Sequence, residues 1–277
     1  MKYEIDFIKF NPTQNMTILI KTNYPVEKYK LIASKIMAYD NVYAEQVGFI
    51  QKSINNKAAA HLQMAGGEFC GNACMTLATY IASEIGLKKN HLTEILLEVS
   101  GTDKLIMCQV KRNVEEYHCQ VTMPIPEKVE QKTVKYGGSS LNMTIIRYQE
   151  CIHIVLEVDK FSKEIKKKAQ SLAKLLGVTL GSKLIGVLLY KPKSDELVPL
   201  IYVPHLDSMV WERGCGSGTA SVGAYLAWKS QGEITAKLRQ PGGTINVFAD
   251  YYEGVFTNLK IEGAVRIVAK GKAFIDV

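Results

Sequence analysis

The sequence has few cysteines, no long apolar run and no strong excess of one charge. Six cysteines in 277 residues are too few for a secreted domain stapled by disulfide bonds, so we expect free thiols in a reducing compartment. No uncharged run approaches the roughly 18 residues that a membrane helix requires. Residues 1–6 carry charges where a signal peptide needs an apolar core. These features predict a cytoplasmic protein with no membrane partner.

The composition is that of an ordinary globular protein. Hydrophobic residues make up 47% and charged residues 22%, and the formal net charge of +7 is mild for this length. Part of that charge comes from a lysine cluster at positions 163–168, within a predicted amphipathic helix. A solvated helix face is the favoured interpretation and a nucleic-acid patch the alternative, so we expect no nucleic-acid partner.

Two short stretches share one anatomy: Cys70-Gly71-Asn72-Ala73 and Cys215-Gly216-Ser217-Gly218. In each, a strand-like apolar run ends in a cysteine, small residues follow, and a helical spacing of apolar residues begins. Both cysteines are therefore predicted at helix N-termini, where free backbone N–H groups and the helix dipole favour anions. A cysteine there tends to have a lowered pKa. The pattern indicates two reactive thiols acting on one small anionic substrate.

The other four cysteines have plainer interpretations. Cys108, Cys119 and Cys151 lie in strand-like runs and are predicted to be ordinary buried thiols. Cys74 lies four residues after Cys70, on the same helix face, which would allow a metal-binding pair. No second CxxC-type pair or spaced histidine pair completes a four-ligand set, so we expect no metal.

The chain reads as two halves with the same order of elements. Prolines 124 and 126 break the strand pattern, which predicts an N-terminal domain over residues 1–124 and a C-terminal domain over 125–277, with a last strand able to return to the first half. Three landmarks recur at offsets of 138, 145 and 142 residues: Gly48 with Gly186, Cys70 with Cys215, and Gly101 with Gly243. The recurrence argues for an internal duplication.

The mixture of strands with two helices per half indicates an α/β or α+β fold, each half being a mixed sheet wrapped around a central helix. Two such halves would face each other across a cleft, which is a common place for a small-molecule site. The duplication would bring Cys70 and Cys215 to that cleft from opposite sides.

Two opposed thiols suit the interconversion of amino-acid enantiomers. One thiolate removes the α-proton, a thiol on the other face returns a proton, and the reverse reaction exchanges their roles. The helix N-termini behind the thiols would bind the substrate carboxylate and stabilise the charge that develops on it. The sequence shows no pyridoxal phosphate signature, and no cofactor is expected.

The motif residues resemble a known family. Residues 68–73 and 211–220 are similar to the two active-site motifs of the cofactor-independent amino-acid racemases, which include diaminopimelate epimerase and proline racemase. The resemblance covers nearly the whole chain. Through residues 11–19, 45–50 and 199–204 it is nearest to the histidine racemases that supply D-histidine for staphylopine-type metallophores. It implies two pseudo-symmetric diaminopimelate epimerase-like domains and a pyridoxal-independent histidine racemase.

The resemblance also implies roles at matching positions. Cys70 and Cys215 would be the acid/base thiols, and Glu212 would hold the α-ammonium group. Asn15 would bind the α-amino or the carboxylate group. Gln46 matches a pocket residue. The carboxylate would be bound by the backbone N–H groups of Gly71, Asn72, Gly216 and Ser217.

Two charged residues in these motifs have more open assignments. Glu45, beside the pocket position Gln46, would accept a hydrogen bond from an imidazole or another cationic side chain. Arg213 resembles the epimerase pattern and would either bind a distal carboxylate or form an ion pair on the surface.

Some positions depart from the diaminopimelate epimerases. Their Cys-Gly-Asn is followed by Gly and soon by Arg, whereas here Ala73, Cys74 and Met75 follow. His61 stands where they have an asparagine, and Glu212 lies only three residues before the second cysteine. These departures argue against a substrate with a second amino-acid group.

Several alternatives stay open at this point. The same chemistry could serve diaminopimelate or another amino acid, or a relative of the same fold could isomerise or dehydrate without paired thiols. From another class, the chain could be a non-catalytic binding protein, or a redox sensor in which Cys70 and Cys215 form a reversible disulfide. A homodimer is compatible with all of them.

Overall fold

The computed structural model describes residues 2–136, 139–149 and 151–276. The chain forms two compact units: unit 1 comprises Met1–Thr122 and Glu262–Val277, and unit 2 comprises Met123–Ile261. None of the described helices is long and apolar enough to cross a membrane.

Unit 1 is a mixed sheet with two helices. Its elements are β1 (Lys2–Pro12), β2 (Thr17–Ile20), α1 (Tyr29–Met37), β3 (Gln46–Gln51), β4 (Ala60–Met64), α2 (Gly71–Glu84), β5 (Leu92–Val99), β6 (Ile106–Arg112), β7 (Tyr117–Thr122) and the C-terminal part of β16 (Val255–Asp276). Strands β1 to β7 are neighbours in chain order. The pairs joined by helices, β2–β3 through α1 and β4–β5 through α2, are parallel. β16 runs antiparallel along β1, from Lys2 opposite Asp276 to Pro12 opposite Val265.

Unit 2 is built on the same plan. Its elements are β8 (Lys128–Tyr136), β9 (Ser139–Arg147), β10 (Cys151–Glu157), α3 (Lys163–Leu180), β11 (Leu184–Lys191), β12 (Glu196–Val203), β13 (Ser208–Trp211), α4 (Gly216–Ser230), β14 (Glu233–Gln240), β15 (Gly243–Tyr252) and the start of β16. The sheet order is β8-β9-β10-β11-β12-β14-β15, with β13 beside β12. Again the helix-linked pairs, β10–β11 through α3 and β12–β14 through α4, are parallel.

The predicted duplication is present in this topology. In both units a parallel pair with an amphipathic crossover helix is followed by an antiparallel strand and then by a second parallel pair joined by an apolar helix. The two glycine landmarks hold equivalent register positions, because Gly48 of β3 lies opposite Leu19 and Gly186 of β11 lies opposite His153.

Helices α2 and α4 are the central helices of their units. α2 contacts every strand from β1 to β7, and α4 contacts β9, β10, β11, β14 and β15. Because strands surround α2 on several sides, its buried residues are not confined to one stripe. They are Gly71, Asn72, Ala73, Cys74, Met75, Thr76, Leu77, Ala78, Thr79 and Ala82. This confirms the prediction of an α+β chain with mixed sheets wrapped around a central helix.

The crossover helices α1 and α3 cover the sheets with one face each. On α1 the buried residues Tyr29, Ile32, Ala33 and Ile36 follow the spacing of a single helical stripe. The Tyr29 ring stacks on Phe49 of β3 with a centroid distance of 3.6 Å. On α3, three of the four clustered lysines are exposed, as expected for a solvated face, while Lys166 lies over the Trp211 ring.

Candidate active site

Both motif cysteines are the N-cap residues of the central helices, as the sequence predicts. Cys70 precedes α2 and Cys215 precedes α4, and both have extended backbone angles. Their side chains differ in exposure, because Cys70 is half-buried whereas Cys215 is only 2% exposed. Each cysteine therefore directly precedes first-turn N–H groups that have no acceptor within the helix, and the Cys215 side chain accepts from one of them whereas the Cys70 side chain makes no such capping bond.

The Cys215 thiol is held by the first turn of α4. Its Sγ accepts a hydrogen bond from the Gly218 N–H at 3.2 Å and lies 3.5 Å from the Ser217 hydroxyl. A β-carbon at position 218 would lie 3.1 Å from this sulfur and 3.0 Å from Leu188. Glycine at this position thus permits the close approach of the sulfur to the backbone.

The protonation of Cys215 differs from the expectation for a helix N-terminus. Burial raises the pKa of the Cys215 thiol well above its ordinary value, and the Glu212 carboxylate raises this pKa further through its negative charge and its hydrogen bond with the thiol. The bonds with Ser217 and Gly218 lower the pKa by less. The predicted lowering is therefore wrong for Cys215, because desolvation and a neighbouring carboxylate outweigh the helix terminus.

Gln240, the last residue of β14, is a site residue to which sequence reasoning assigns no role. Its Oε1 accepts from the Cys215 N–H at 2.8 Å, and its Nε2 donates to Thr219 Oγ1 at 2.7 Å. The Thr219 hydroxyl donates in turn to the Cys215 carbonyl at 2.7 Å. Its place in the stretch Gln240-Pro241-Gly242-Gly243, which is part of the resemblance to the racemase family, is the signal in the sequence that could have drawn attention to it.

The residues before Cys215 tie the motif loop to neighbouring elements. The Glu212 N–H donates to the Pro199 carbonyl of β12 at 3.0 Å. Arg213 is exposed, and its guanidinium donates to the Pro241 carbonyl at 3.3 Å while the Gly242 N–H donates to the Arg213 carbonyl at 2.7 Å. Arg213 therefore has a structural contact beyond the two roles considered from the sequence.

In unit 1 the structure joins Asn15 and Glu45, which the sequence suggests separately. Asn15 is 1% exposed and follows a turn in which Thr13 and Gln14 have positive φ angles. Its Nδ2 donates to Glu45 Oε2 at 3.0 Å. Among the described residues its buried Oδ1 has no hydrogen-bond partner. Gln46, next to Glu45, is half-buried at the start of β3 and pairs with Thr17.

The four residues predicted to bind a carboxylate through their backbone lie in the first turns of the central helices. Gly71 and Asn72 are buried at the start of α2, and Gly216 is buried and Ser217 half-buried at the start of α4. Ahead of α2, the Ser100 hydroxyl donates to the Glu68 carbonyl at 2.9 Å and accepts from the Met64 N–H at 3.0 Å. Each unit thus has one motif cysteine directly before the first-turn backbone donors of its central helix.

His61 and the remaining cysteines have the following places in the structure. His61 lies half-buried on β4, opposite Glu98 of β5. Cys74, Cys108 and Cys119 are buried, whereas Cys151, which was also predicted to be buried, is half-buried because it lies at the first position of β10. Over the described ranges, no group of three or more His, Cys, Asp or Glu side chains is arranged to hold a metal ion.

Residues 4–274 match the family described as the Histidine racemase CntK N-terminal domain. The chain belongs to this family. It is 33% identical over 277 residues to a histidine racemase of Staphylococcus aureus, covering 98% of each chain. It is 28% identical over 276 residues to a histidine racemase of Fusobacterium nucleatum subsp. nucleatum, covering 98% of this chain and 97% of the relative. Membership in the family makes the chain an isomerase of the racemase type.

Solved structures share the fold at low sequence identity. A hydroxyproline epimerase from Agrobacterium vitis superposes with a TM-score of 0.74 at 10% identity, over 100% of this chain and 95% of the other. A methylitaconate-delta-isomerase superposes with a TM-score of 0.65 at 12% identity, over 99% and 96% of the two chains. At such identities these likenesses concern the fold alone, and they confirm the predicted fold class.

Proposed function

We propose that this protein interconverts L- and D-histidine without pyridoxal phosphate, using Cys70 and Cys215 as the two acid/base groups. The observation that carries the proposal is the duplicated placement of a cysteine at the N-cap of each central helix. Histidine is proposed as the substrate because the relatives to which the chain is similar are histidine racemases. We further propose that the product D-histidine is used to make a metallophore. The enzyme would act in the reducing cytoplasm as a monomer or a homodimer.

The proposed reaction moves one proton at a time. The thiolate of one cysteine takes the α-proton and becomes a thiol, and the electron pair of the C–H bond passes into the substrate carboxylate. The thiol of the other cysteine then donates its proton to the opposite face of the α-carbon and is left as a thiolate. Backbone N–H groups at the two helix N-termini stabilise the charge on the carboxylate.

The raised pKa of Cys215 has a place in this scheme. With Glu212 hydrogen-bonded to it, Cys215 is held as a thiol and is ready to donate a proton. A substrate α-ammonium group beside Glu212 would offset the carboxylate charge and lower the pKa of the thiol. Substrate binding would thereby prepare Cys215 for its other role, proton removal from the opposite enantiomer.

The Asn15–Glu45 contact limits what Asn15 can bind. A carboxylate only accepts hydrogen bonds, so the amide group facing Glu45 is the Nδ2 donor and Oδ1 points elsewhere. The remaining Oδ1 is an acceptor and suits an N–H group of the substrate. Of the two partners that the sequence allows, this favours the α-ammonium group over the carboxylate.

The Glu45→Gln variant tests the histidine assignment. If Glu45 accepts a hydrogen bond from the substrate imidazole, kcat/KM for histidine should fall by about tenfold to a hundredfold, because bonds to charged groups contribute about 1.5–3 kcal/mol. An aliphatic amino acid, assayed in the same way on a chiral column, should lose much less. Glu27→Gln is the matched control, since Glu27 is exposed in the same unit. Equal losses for both substrates would remove Glu45 from the side-chain pocket.

A further inference from the structure

The Gln240 side chain forms a closed set of hydrogen bonds around Cys215. The Cys215 N–H needs an acceptor, so it fixes Oε1 of the amide on its side and leaves Nε2 to donate to Thr219. Because Thr219 Oγ1 accepts from Nε2, its own proton is available for the Cys215 carbonyl. Gln240 thus holds the Cys215 N–H directly and reaches the Cys215 carbonyl through the Thr219 hydroxyl, while the same carbonyl also accepts from the Thr219 N–H at 3.0 Å.

These contacts lie in the protein interior, where their loss would not be repaired by bulk water. Thr219 is 0% exposed, Cys215 2% and Gln240 9%. A buried N–H or hydroxyl left without its partner costs about 1–3 kcal/mol. The alternative backbone angles of Cys215 would break these bonds and are therefore disfavoured. The set fixes the N-cap conformation, φ −105° and ψ 110°, from which the thiol reaches the Gly218 N–H.

We propose that Gln240 is the positioning residue for Cys215, holding its two peptide groups so that the thiol keeps its place beside the first turn of α4. This proposal rests on the function proposed above, in which Cys215 exchanges a proton with the substrate. Gln240 acts through Cys215 and Thr219, both of which it contacts directly, and does so from a strand that follows α4 in the chain.

The duplication supplies an internal comparison. In unit 1, Ser100 directly follows β5, the strand after α2, and its hydroxyl donates to the Glu68 carbonyl and accepts from the Met64 N–H. Ser100 therefore fastens the loop ahead of Cys70 instead of the peptide groups of the cysteine that Gln240 holds in unit 2. Loss of Gln240 should consequently affect Cys215 and leave Cys70 unchanged.

The test compares Gln240→Leu with the wild type in two independent measurements. The first is kcat and KM for histidine: kcat should fall by about tenfold or more, the equivalent of losing one buried hydrogen bond, while KM changes by less than about threefold. The second is the pH midpoint for alkylation of each thiol by iodoacetamide, read by peptide mass spectrometry. The alkylation midpoint of Cys215 should rise, because the hydrogen bond from the Gly218 N–H, which favours the thiolate, is weakened. The alkylation midpoint of Cys70 should not change.

Three further variants separate positioning from folding. Gln131→Leu makes the same chemical change at an exposed site of unit 2 and should behave like the wild type. Thr219→Val removes the hydroxyl from this set of hydrogen bonds and should reproduce the changes seen in Gln240→Leu. Thr219→Ser keeps the hydroxyl and should behave like the wild type. If Gln240→Leu does not fold, the Thr219 pair carries the test.

The outcomes distinguish this proposal from the proposed function. Unchanged kcat and an unchanged Cys215 midpoint in Gln240→Leu, or a wild-type-like Thr219→Val, would overturn the positioning role. Equal midpoint shifts at both cysteines would also overturn it, since they would indicate a general loss of structure. A wild type that fails to racemise histidine would refute the function, yet the alkylation midpoints would still decide whether Gln240 positions Cys215.

Discussion

The Cys70→Ser and Cys215→Ser variants are each expected to racemise histidine about a thousandfold more slowly than the wild type, or ~4 kcal/mol in the barrier. A hydroxyl is a much weaker acid than a thiol, so serine supplies almost no anion to remove the α-proton. Because each enantiomer uses one group as base and the other as acid, a single substitution disables both directions. The rates are measured from each enantiomer on a chiral column.

The control for these two variants is Cys151→Ser. Cys151 is half-buried at the start of β10 and not fully buried as its strand-like run predicts. This variant should keep racemisation within about twofold of wild type, since it changes none of the groups that exchange protons. If Cys70→Ser or Cys215→Ser keeps more than about a tenth of the wild-type rate, ~1.4 kcal/mol, the two-thiol mechanism is wrong.

The second large effect concerns His153 and the stability of the fold at acidic pH. His153 is buried on β10, its Nδ1 lies 2.6 Å from the Ser221 hydroxyl, and its ring packs beside Tyr148. Gly186 on β11 leaves space for that ring, because a β-carbon there would lie 2.3 Å from His153 Cδ2. Burial lowers the pKa of His153 to about 4, and a backbone hydrogen bond with Ser217 offsets only part of this effect.

The sign of the pH dependence follows from this lowered pKa. The unfolded chain binds the His153 proton near pH 6.5, whereas the folded chain binds it only near pH 4. The contribution of His153 to the free energy of unfolding is therefore fully present above pH 6.5 and is lost as the pH falls from 6.5 to about 4. At about 1.4 kcal/mol per pKa unit, His153 should remove about 3 kcal/mol from the free energy of unfolding over that range.

Urea unfolding at several pH values measures this contribution. The Tyr148 ring packs beside His153, and burial raises the pKa of Tyr148, so this tyrosine should not titrate in the same range. His153→Asn keeps a polar atom for Ser221 and should lose about 3 kcal/mol less than wild type between pH 6.5 and 4. His91→Asn, at an exposed loop histidine, controls for the removal of an imidazole. Parallel pH profiles for His153→Asn and wild type would contradict the assignment.

The helix N-caps could be predicted from the sequence because their signals are local. The apolar spacing of each central helix begins directly after Cys70 or Cys215, and the residues that follow are small. The structure places both cysteines one residue before their helices. The duplication was predictable for a related reason, since Gly48 and Gly186 lie in apolar strand runs that keep their place in the order of elements.

β8 was not predicted, and β16 was predicted only as a last strand able to return to the first half, because these segments lack a regular alternation of buried and exposed residues over all or part of their length. β8 carries charged residues along its length and is held by pairing with β9 and by the Glu130–Arg147 ion pair at 3.1 Å. Within β16, residues 266–272 are all exposed, so no alternation marks them. Their strand conformation follows from pairing with β1, which lies more than 200 positions away in the sequence.

Side-chain pKa values and hydrogen bonds at the site could not be predicted where they depend on residues that are distant in the sequence. The helix terminus predicted a lowered pKa for Cys215, but burial and Glu212 raise that pKa. Gln240 reaches Cys215 across 25 positions, and Asn15 reaches Glu45 across 30. A sequence motif identifies such residues individually. It does not show which of them form hydrogen bonds with each other, because those bonds form only once the strands have paired.

The most direct test of the account is proton NMR of the reduced protein in D₂O with L-histidine, followed by separation of the products on a chiral column. Parallel tubes hold meso-diaminopimelate and other L-amino acids. We predict that the α-proton signal of histidine disappears and that D-histidine forms, with much slower exchange in the other tubes. Exchange of diaminopimelate or another amino acid in place of histidine, or no exchange in any tube, would contradict the proposed activity.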